Sequence, residues 1–562
     1  MSNKRVLNIK KGYGFVLLVA LAYYLHHLLT YNLGINYEEG RDANAYLLFL
    51  KGFLPYRDFE WIYGPFSFFV YPFVMKIFGA KLIVLRLAYI FFGSLIIPLV
   101  YSLAKRIIMP YQAAIAAFLS IIFLNTPFYT FNHVFAVIGE IGCLLFLCKF
   151  IENKKHANLF VAGLFCSLTV LTKPLLPGLA LFLTAVLFLL FIYDKDRFTN
   201  KIKFTLFFSL STFIPLFSYA IYFISQTFAK HAPILYPPFF SRTSIGMIEQ
   251  APRVNLDNFL NLFRRIFMVC PLSDLSKTGL KLFVIRSFEG FIASLYIFIV
   301  LIFAFFVLKG KGSKLAKELA KDKTYLQLFI VFSVFISFEN LLITHMYGKA
   351  YNTQVTFILA VYLLFKLKGV FFKPGLAGNV LVFIILFGVS FLNFFRYPVS
   401  MLKRNTKPIP LVRAVGVLVS PKEAEFYGSL GAYLGENLNN NDKMAVLNYL
   451  PHLSFSTGKE DIFSDEGFIF EKLFVLNERS KVKPDYLLSE FEDKIINRLE
   501  NEKPKVILIA KLVLNEKYAG LTSKVRDFVD RRYIFDKKIG PVDIFGNGGS
   551  PGFLNCYKIK NQ

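Results

Sequence analysis

The sequence predicts a polytopic α-helical membrane protein, with about eleven transmembrane helices and a C-terminal extracytoplasmic α/β domain. Three observations carry this. The 562 residues are 55% hydrophobic and 17% aromatic, with 67 Phe, well above the usage of soluble domains. Apolar runs recur at roughly 17–25 residues, the length that crosses a hydrocarbon core of about 30 Å. From residue 396 onward the composition turns soluble and alternates between helical and strand-like stretches.

Taken in order, the spans are expected at about 12–32, 82–104, 110–126, 133–151, 157–173, 175–193, 204–226, 287–308, 325–344, 352–368 and 376–395. The first follows Lys4, Arg5, Lys10 and Lys11, as a signal peptide would, but the run is long and no small-residue cleavage motif follows, so it reads as a retained span. The apolar segment Pro65–Phe78 is short and lies between Gly64-Pro65 and Gly79, which suits an interfacial or re-entrant helix. Basic residues cluster at Lys105-Arg106, Lys154-Lys155, 195–203, 309–323 and 366–373, on alternating turns. The positive-inside rule then places the N-terminus in the cytoplasm and the tail outside. Residues 1–395 form the membrane module, with large outer loops at about 33–81 and 227–286, and 396–562 form the outer domain.

In the tail, Lys443–Leu447 and Lys505–Ile509 read as short buried strands, each preceded by a helical stretch, at about Lys422–Leu438 and Tyr486–Asn501. Gly546-Asn547-Gly548-Gly549 opens no helix and reads as a turn, not a phosphate loop.

The net charge of +27 does not point to nucleic acid. From Arg396 onward there are roughly 26 basic and 21 acidic residues, so most of the excess lies among the spans, where anionic lipid is the natural partner. The five cysteines make no CxxC pair and three fall in expected spans, so neither a disulfide framework nor a metal cluster is indicated. The seven histidines have no metal-site spacing.

Chemistry concentrates in the first outer loop, Tyr37-Glu38-Glu39-Gly40-Arg41-Asp42. From Asp42 the loop reads as an amphipathic helix stopped by Gly52, with Ala45, Leu48 and Phe49 on one face. Acidic residues ahead of such a helix have two readings. They are solvated groups that suit a helix N-terminus, or carboxylates held at headgroup level where one serves as a general base. Glu140, within an apolar span, and Lys173, at a span's outer end, carry the same ambiguity. For Glu140 the choice lies between a functional ionisable group and a helix-end carboxylate facing water, and for Lys173 between a phosphate contact and simple snorkelling.

These residues resemble the lipid-dependent glycosyltransferases of the GT-C superfamily, nearest to the branch of protein O-mannosyltransferases and aminoarabinose lipid A transferases. The likeness rests on the ordered series Glu38-Glu39, Gly52-Phe53-Leu54-Pro55-Tyr56, Gly64-Pro65, Phe78-Gly79 with Arg86, Gly163-Leu164 through Leu171-Thr172-Lys173, and Lys503-Pro504-Lys505-Val506-Ile507. It implies an inverting transfer of a sugar from a polyprenyl-phosphate carrier to an extracytoplasmic acceptor, whether lipid, protein or envelope glycan. The first acidic residue of the pair is then the catalytic base. This chain has Glu where relatives have Asp, which leaves the choice between Glu38 and Glu39 open. Arg41, Asp42 and Tyr63 belong to the implied substrate site, with Glu140 as the family's second acidic residue and Lys173 as its threonine-lysine. Where lipid A relatives carry a phosphate-binding lysine before the interfacial helix, this chain has Phe59-Glu60-Trp61-Ile62-Tyr63. The phosphate contact is therefore expected from Arg57, Arg86, Arg253, Lys349 or Arg264-Arg265. His345 and Tyr351, with Lys349, occupy an outer turn where relatives contact donor or acceptor. No cofactor is implied, although some acidic-pair relatives elsewhere in the superfamily use a divalent cation.

Two other readings compete. A flippase or transporter for lipid-linked saccharides predicts inverted repeats and charged or broken helices near the midplane, and the ionisable residues instead collect at loop ends. A non-catalytic envelope assembly protein accounts for the tail but assigns nothing to the acidic loop.

Overall fold

The computed structural model describes residues 14, 16–25, 35, 37–59, 61, 63–124, 131–173, 178–193, 197–229, 324–332, 358–359, 361–362, 406–447, 450–463, 485–512, 523–542 and 552–560. The N-terminal part is helical throughout: α1 (Val16–Leu25), α2 (Tyr37–Leu50), α3 (Ser67–Phe78), α4 (Leu82–Ala104), α5 (Pro110–Leu124), α6 (His133–Asn153), α7 (His156–Thr172), α8 (Leu179–Leu187, prolonged by a π-turn over Phe188–Ile192) and α9 (Phe198–Ala229). Among the described residues, Leu82–Ala104, His133–Asn153 and Phe198–Gln226 are long and apolar enough to cross a membrane. The spans expected at 287–308 and 376–395 lie outside the described residues, and those at 325–344 and 352–368 are described only in part, at 324–332 and at 358–359 and 361–362.

The bundle shows why these runs are apolar all round. α6 is buried along nearly its whole length, between α4 and α7. On α9 the residues Leu206, Leu210, Phe213, Phe217 and Ile221 stay exposed, a lipid-facing stripe at helical spacing. α3, the segment expected to be interfacial or re-entrant, is a short two-faced helix: Phe68, Tyr71 and Met75 face the protein, and Phe69, Phe73 and Ile77 are exposed. The turns sort into two ends. At one end Arg106 pairs with Glu152, and Lys154 lies 4.0 Å above the Tyr193 ring. At the other end the start of α4, the loop before α6 and the end of α7 meet α2 and the tail.

The tail holds a five-stranded sheet of order β4-β3-β5-β7-β6: β3 (Lys443–Leu447), β4 (Glu460–Asp461), β5 (Val506–Leu512), β6 (Tyr533–Val542) and β7 (Gly552–Ile559). β3 runs parallel to β4 and β5, while β7 is antiparallel to both β5 and β6. A two-stranded ribbon, β1 (Lys407–Pro408) with β2 (Leu418–Val419), precedes it. Among the described residues four helices accompany the sheet: α10 (Pro421–Asn437), α11 (Pro451–Thr457), α12 (Asp485–Glu502) and α13 (Ser523–Arg532). α10 starts on a capping box, in which Ser420 Oγ accepts from Glu423 N at 3.3 Å and Glu423 Oε2 accepts from Ser420 N at 2.8 Å. The apolar core is continuous from the bundle into this region through Leu411, Ala414, Leu450, Leu453 and Phe455. α11 lies against α2, and Leu82 N donates to Arg413 O at 2.8 Å.

Candidate active site

The helix carrying the acidic pair begins earlier than its sequence suggests. It starts at Tyr37, not Asp42, so Glu38 and Glu39 fall in its first turn. The reason is tertiary: Glu38, Glu39, Arg41 and Asp42 are all buried, and a helical backbone satisfies its own polar groups where water is excluded. Successive residues of this turn point to different partners.

Glu39 receives Arg86 of α4 in a two-pronged grip, Nε to Oε1 at 3.1 Å and Nη2 to Oε2 at 2.6 Å. Gly40 lies against α11. A Cβ built there would come within 2.1 Å of His452 Cα, so no other residue fits without moving one of the two helices. Arg41 folds back onto Asp42, with Nε and Nη2 at 3.1 and 3.0 Å from Oδ1, and its Nη2 donates to the Tyr63 hydroxyl at 3.4 Å. Asp42 Oδ2 accepts from the backbone N of Phe131, in the loop before α6, at 3.2 Å. Glu38 is one helical turn before Asp42 and on the same face.

Burial pushes the Asp42 carboxyl up to about 6; Arg41 pulls it down, the nearby Glu38 charge raises it, and Lys173 lowers it. Glu38, Asp42, Arg41 and Lys173 therefore form one electrostatic unit. Tyr63 ties it together: Lys173 Nζ sits 3.6 Å from its ring centroid and Arg41 Cζ 5.2 Å.

The Gly64-Pro65 turn sets this arrangement. Gly64 N donates to Thr172 O at 2.9 Å and Phe66 N to Leu171 O at 3.0 Å, docking the turn on the end of α7 beside Lys173. A Cβ on Gly64 would lie 2.0 Å from Leu171 O, so the approach requires glycine. Behind it Tyr46, Trp61, Phe68, Tyr71 and Phe131 stack into an aromatic wall.

The structure thus brings Glu38, Glu39, Arg41, Asp42, Tyr63, Arg86 and Lys173 together. Two residues expected to contact phosphate are already engaged. Arg86 holds Glu39. Arg57 binds Asp58 through Nε at 2.8 Å and through Nη2, and Nη1 donates to Gln226 O at 3.0 Å. Glu140 lies two turns inside α6, fully buried, rather than at the helix end. Arg253, His345, Lys349 and Tyr351 lie outside the described residues, as do Arg264 and Arg265. Sequence reasoning missed Asn132 and His452, both buried beside this cluster; the His133 ring also lies near, 6.3 Å from that of Tyr63. Neither Asn132 nor His452 stands in a motif that marks it. Among the described residues no group of three His, Cys, Asp or Glu is arranged to hold a metal ion.

Residues 63–219 match the family model described as dolichyl-phosphate-mannose-protein mannosyltransferase. The fold is that of the Archaeoglobus fulgidus oligosaccharyltransferase in its apo form, with a TM-score of 0.52 at 12% identity, over 97% of this chain and 74% of that one. The family likeness covers residues 63–219, and the structural likeness is one of fold.

The same archaeal enzyme in complex with zinc and sulfate aligns with this chain at a TM-score of 0.51 and 14% identity, over 88% and 67% of the two chains. ArnT of Cupriavidus metallidurans in the apo state aligns at 0.44 and 12%, over 99% and 98%. A comparison with curated proteins found no match. The mannosyltransferase likeness is borne out over residues 63–219, which hold Gly64-Pro65 and Thr172-Lys173, while Glu38-Glu39 precedes the matched segment.

Proposed function

We propose that this glycosyltransferase moves a sugar from a polyprenyl-phosphate carrier to an acceptor on the outer membrane face, with inversion, and that Glu38 is its base. The observation that carries the assignment is the division of labour on α2. Arg86 grips Glu39, and Arg41 and the Phe131 amide hold Asp42, while Glu38 lies one helical turn before Asp42 and acts electrostatically on the site that Arg41 and Lys173 complete. In the reaction the acceptor oxygen or nitrogen attacks the anomeric carbon and gives its proton to the Glu38 carboxylate. The bond from that carbon to the phosphate oxygen breaks, and polyprenyl phosphate leaves with the electron pair. Arg41 and Lys173, stacked on Tyr63, are placed to stabilise the charge on the departing phosphate.

The family model's name supplies the donor class, a dolichyl-phosphate sugar. Outward orientation of the site rests on the basic turns at the opposite end of the bundle, Lys105-Arg106 and Lys154-Lys155. Residues 396–562 form the outer domain in this reading and brace α2 through α11.

The test is transfer of radiolabelled sugar from polyprenyl-phosphate donors in membranes. Glu38→Gln should reduce the rate by about three or more orders of magnitude, with normal membrane levels. Wild-type rates in Glu38→Gln would refute the assignment, and equal activity with a nucleotide sugar in membranes stripped of polyprenyl phosphate would refute the donor.

A further inference from the structure

The loop that grips Asp42 carries a side chain that the described residues do not satisfy. Asn132 is fully buried, at 0% exposure, and among the described residues neither its Nδ2 nor its Oδ1 has a hydrogen-bond partner. It stands at the N-cap of α6, the position where Asn ordinarily accepts from a backbone amide of the first turn. Here it caps nothing: its backbone is already helical, at φ −67° and ψ −35°, which turns the side chain away from those amides, and the backbone carbonyl alone accepts from Phe135 N at 3.1 Å.

A buried carboxamide with both ends unmatched is costly, and an apolar residue of the same size would be cheaper. Its neighbours place it in the wall of the site. The amide of residue 131 holds Asp42 at 3.2 Å, and the ring of residue 133 lies 6.3 Å from that of Tyr63.

The chemistry of the group narrows what satisfies it. A carboxamide offers two donors and one acceptor side by side. A phosphate presents only acceptors and would leave Oδ1 unmatched, and a lipid chain would leave both ends unmatched. A pair of neighbouring sugar hydroxyls, each able to donate and accept, matches both. We propose that Asn132 binds a hydroxyl pair of the transferred sugar and sets which sugar is accepted, an inference that rests on the lipid-linked donor reading above.

The experiment uses the full chain in lipid nanodiscs. Its donors are dolichyl-phosphate mannose, the corresponding hexose and pentose carriers, and mono-deoxy analogues of whichever donor is transferred. Asn132→Leu should keep or raise Tm, because it removes the unmatched carboxamide, while kcat/KM falls about tenfold or more, chiefly through KM. One deoxy donor should be rejected about tenfold or more by the wild type and not further by Asn132→Leu. A lowered Tm with unchanged kcat/KM and unchanged deoxy discrimination would overturn the proposal and assign Asn132 to buried-water structure. An inactive wild type on every lipid-linked donor would refute the donor reading, and this inference with it. An active wild type leaves the variants to decide Asn132 alone.

Discussion

Arg86 closes on Glu39 from the neighbouring helix with two hydrogen bonds, at 3.1 and 2.6 Å, and both side chains are buried. The pair fixes the first turn of α2 to α4 and so sets the direction in which Glu38 projects. Removing one partner leaves a buried charge without its counter-ion, which costs about 3–5 kcal/mol. Arg86→Ala should therefore lower Tm and abolish transfer together, as read by thermal unfolding in detergent. Arg86→Lys keeps the charge but loses the fork, and should recover stability better than activity. The double variant Arg86→Met/Glu39→Met should regain most of the lost stability, because no charge is then stranded.

Asp42 gives the site a pH signature. Its carboxyl titrates at about 6 instead of the ordinary 3.8, so between about pH 4 and pH 6 the folded chain holds a proton that the unfolded chain has released. Stability from this group is therefore present at low pH and lost as pH rises through 6. The two units or so correspond to about 3 kcal/mol. Exposed carboxylates in the tail, such as Asp442 and Glu502, are held below their usual range by lysines and slope the other way. The measurement is thus a difference: the Tm of Asp42→Asn minus that of the wild type should grow from pH 4 to pH 7. A flat difference would show that Asp42 is ionised throughout.

Much of the scaffold was legible because it is locally encoded. The span at 82–104 and the strand at 443–447 stand where hydropathy puts them, since each buries its own run of residues. The acidic loop was found for the same reason, as charge concentrated beside a span. The partners within it were not legible. Arg86 reads as a candidate phosphate contact in sequence, and only the fold brings it, across 47 residues of chain, to Glu39 in a bidentate pair. The Phe131 amide that binds Asp42 belongs to the backbone and leaves no mark in the residue pattern. Strands β6 and β7 escaped notice because their sequences, with Asp536-Lys537-Lys538 in the first, alternate too weakly to stand out.

Gly40 joins the tail to the acidic turn of α2. His452 of α11 lies so close that a methyl group at residue 40 would stand 2.1 Å from its Cα and 2.2 Å from its N, both backbone atoms that no rotamer change can move. α11 is itself fastened to the sheet through Ser454, whose hydroxyl donates to the buried Asp461, which also accepts from Val446 N at 3.1 Å and Phe463 N at 3.0 Å. Gly40→Ala should push α11 off α2, exposing the tail to limited proteolysis and cutting transfer about a hundredfold or more. Asp461→Asn should loosen the same brace from the far side, with a smaller loss of activity and the same proteolytic site.

Lys173 separates binding from positioning. Its Nζ rests 3.6 Å from the Tyr63 ring centroid, on a turn that Gly64 and Phe66 hold to the end of α7. The side chain is half-buried, so its loss costs little folding energy. If it meets the donor phosphate in the ground state, Lys173→Met should raise the donor KM about tenfold or more and leave kcat within a few-fold. A fall in kcat with KM unchanged would instead place the cation on the departing phosphate in the transition state alone. Lys173→Arg keeps the charge and the stacking on Tyr63, and should retain most of the activity. Tyr63→Leu removes the surface that aligns both Lys173 and Arg41, so its effect should not add to that of Lys173→Met. Steady-state kinetics of the two single variants and their combination, with the donor varied at saturating acceptor, measures that coupling directly.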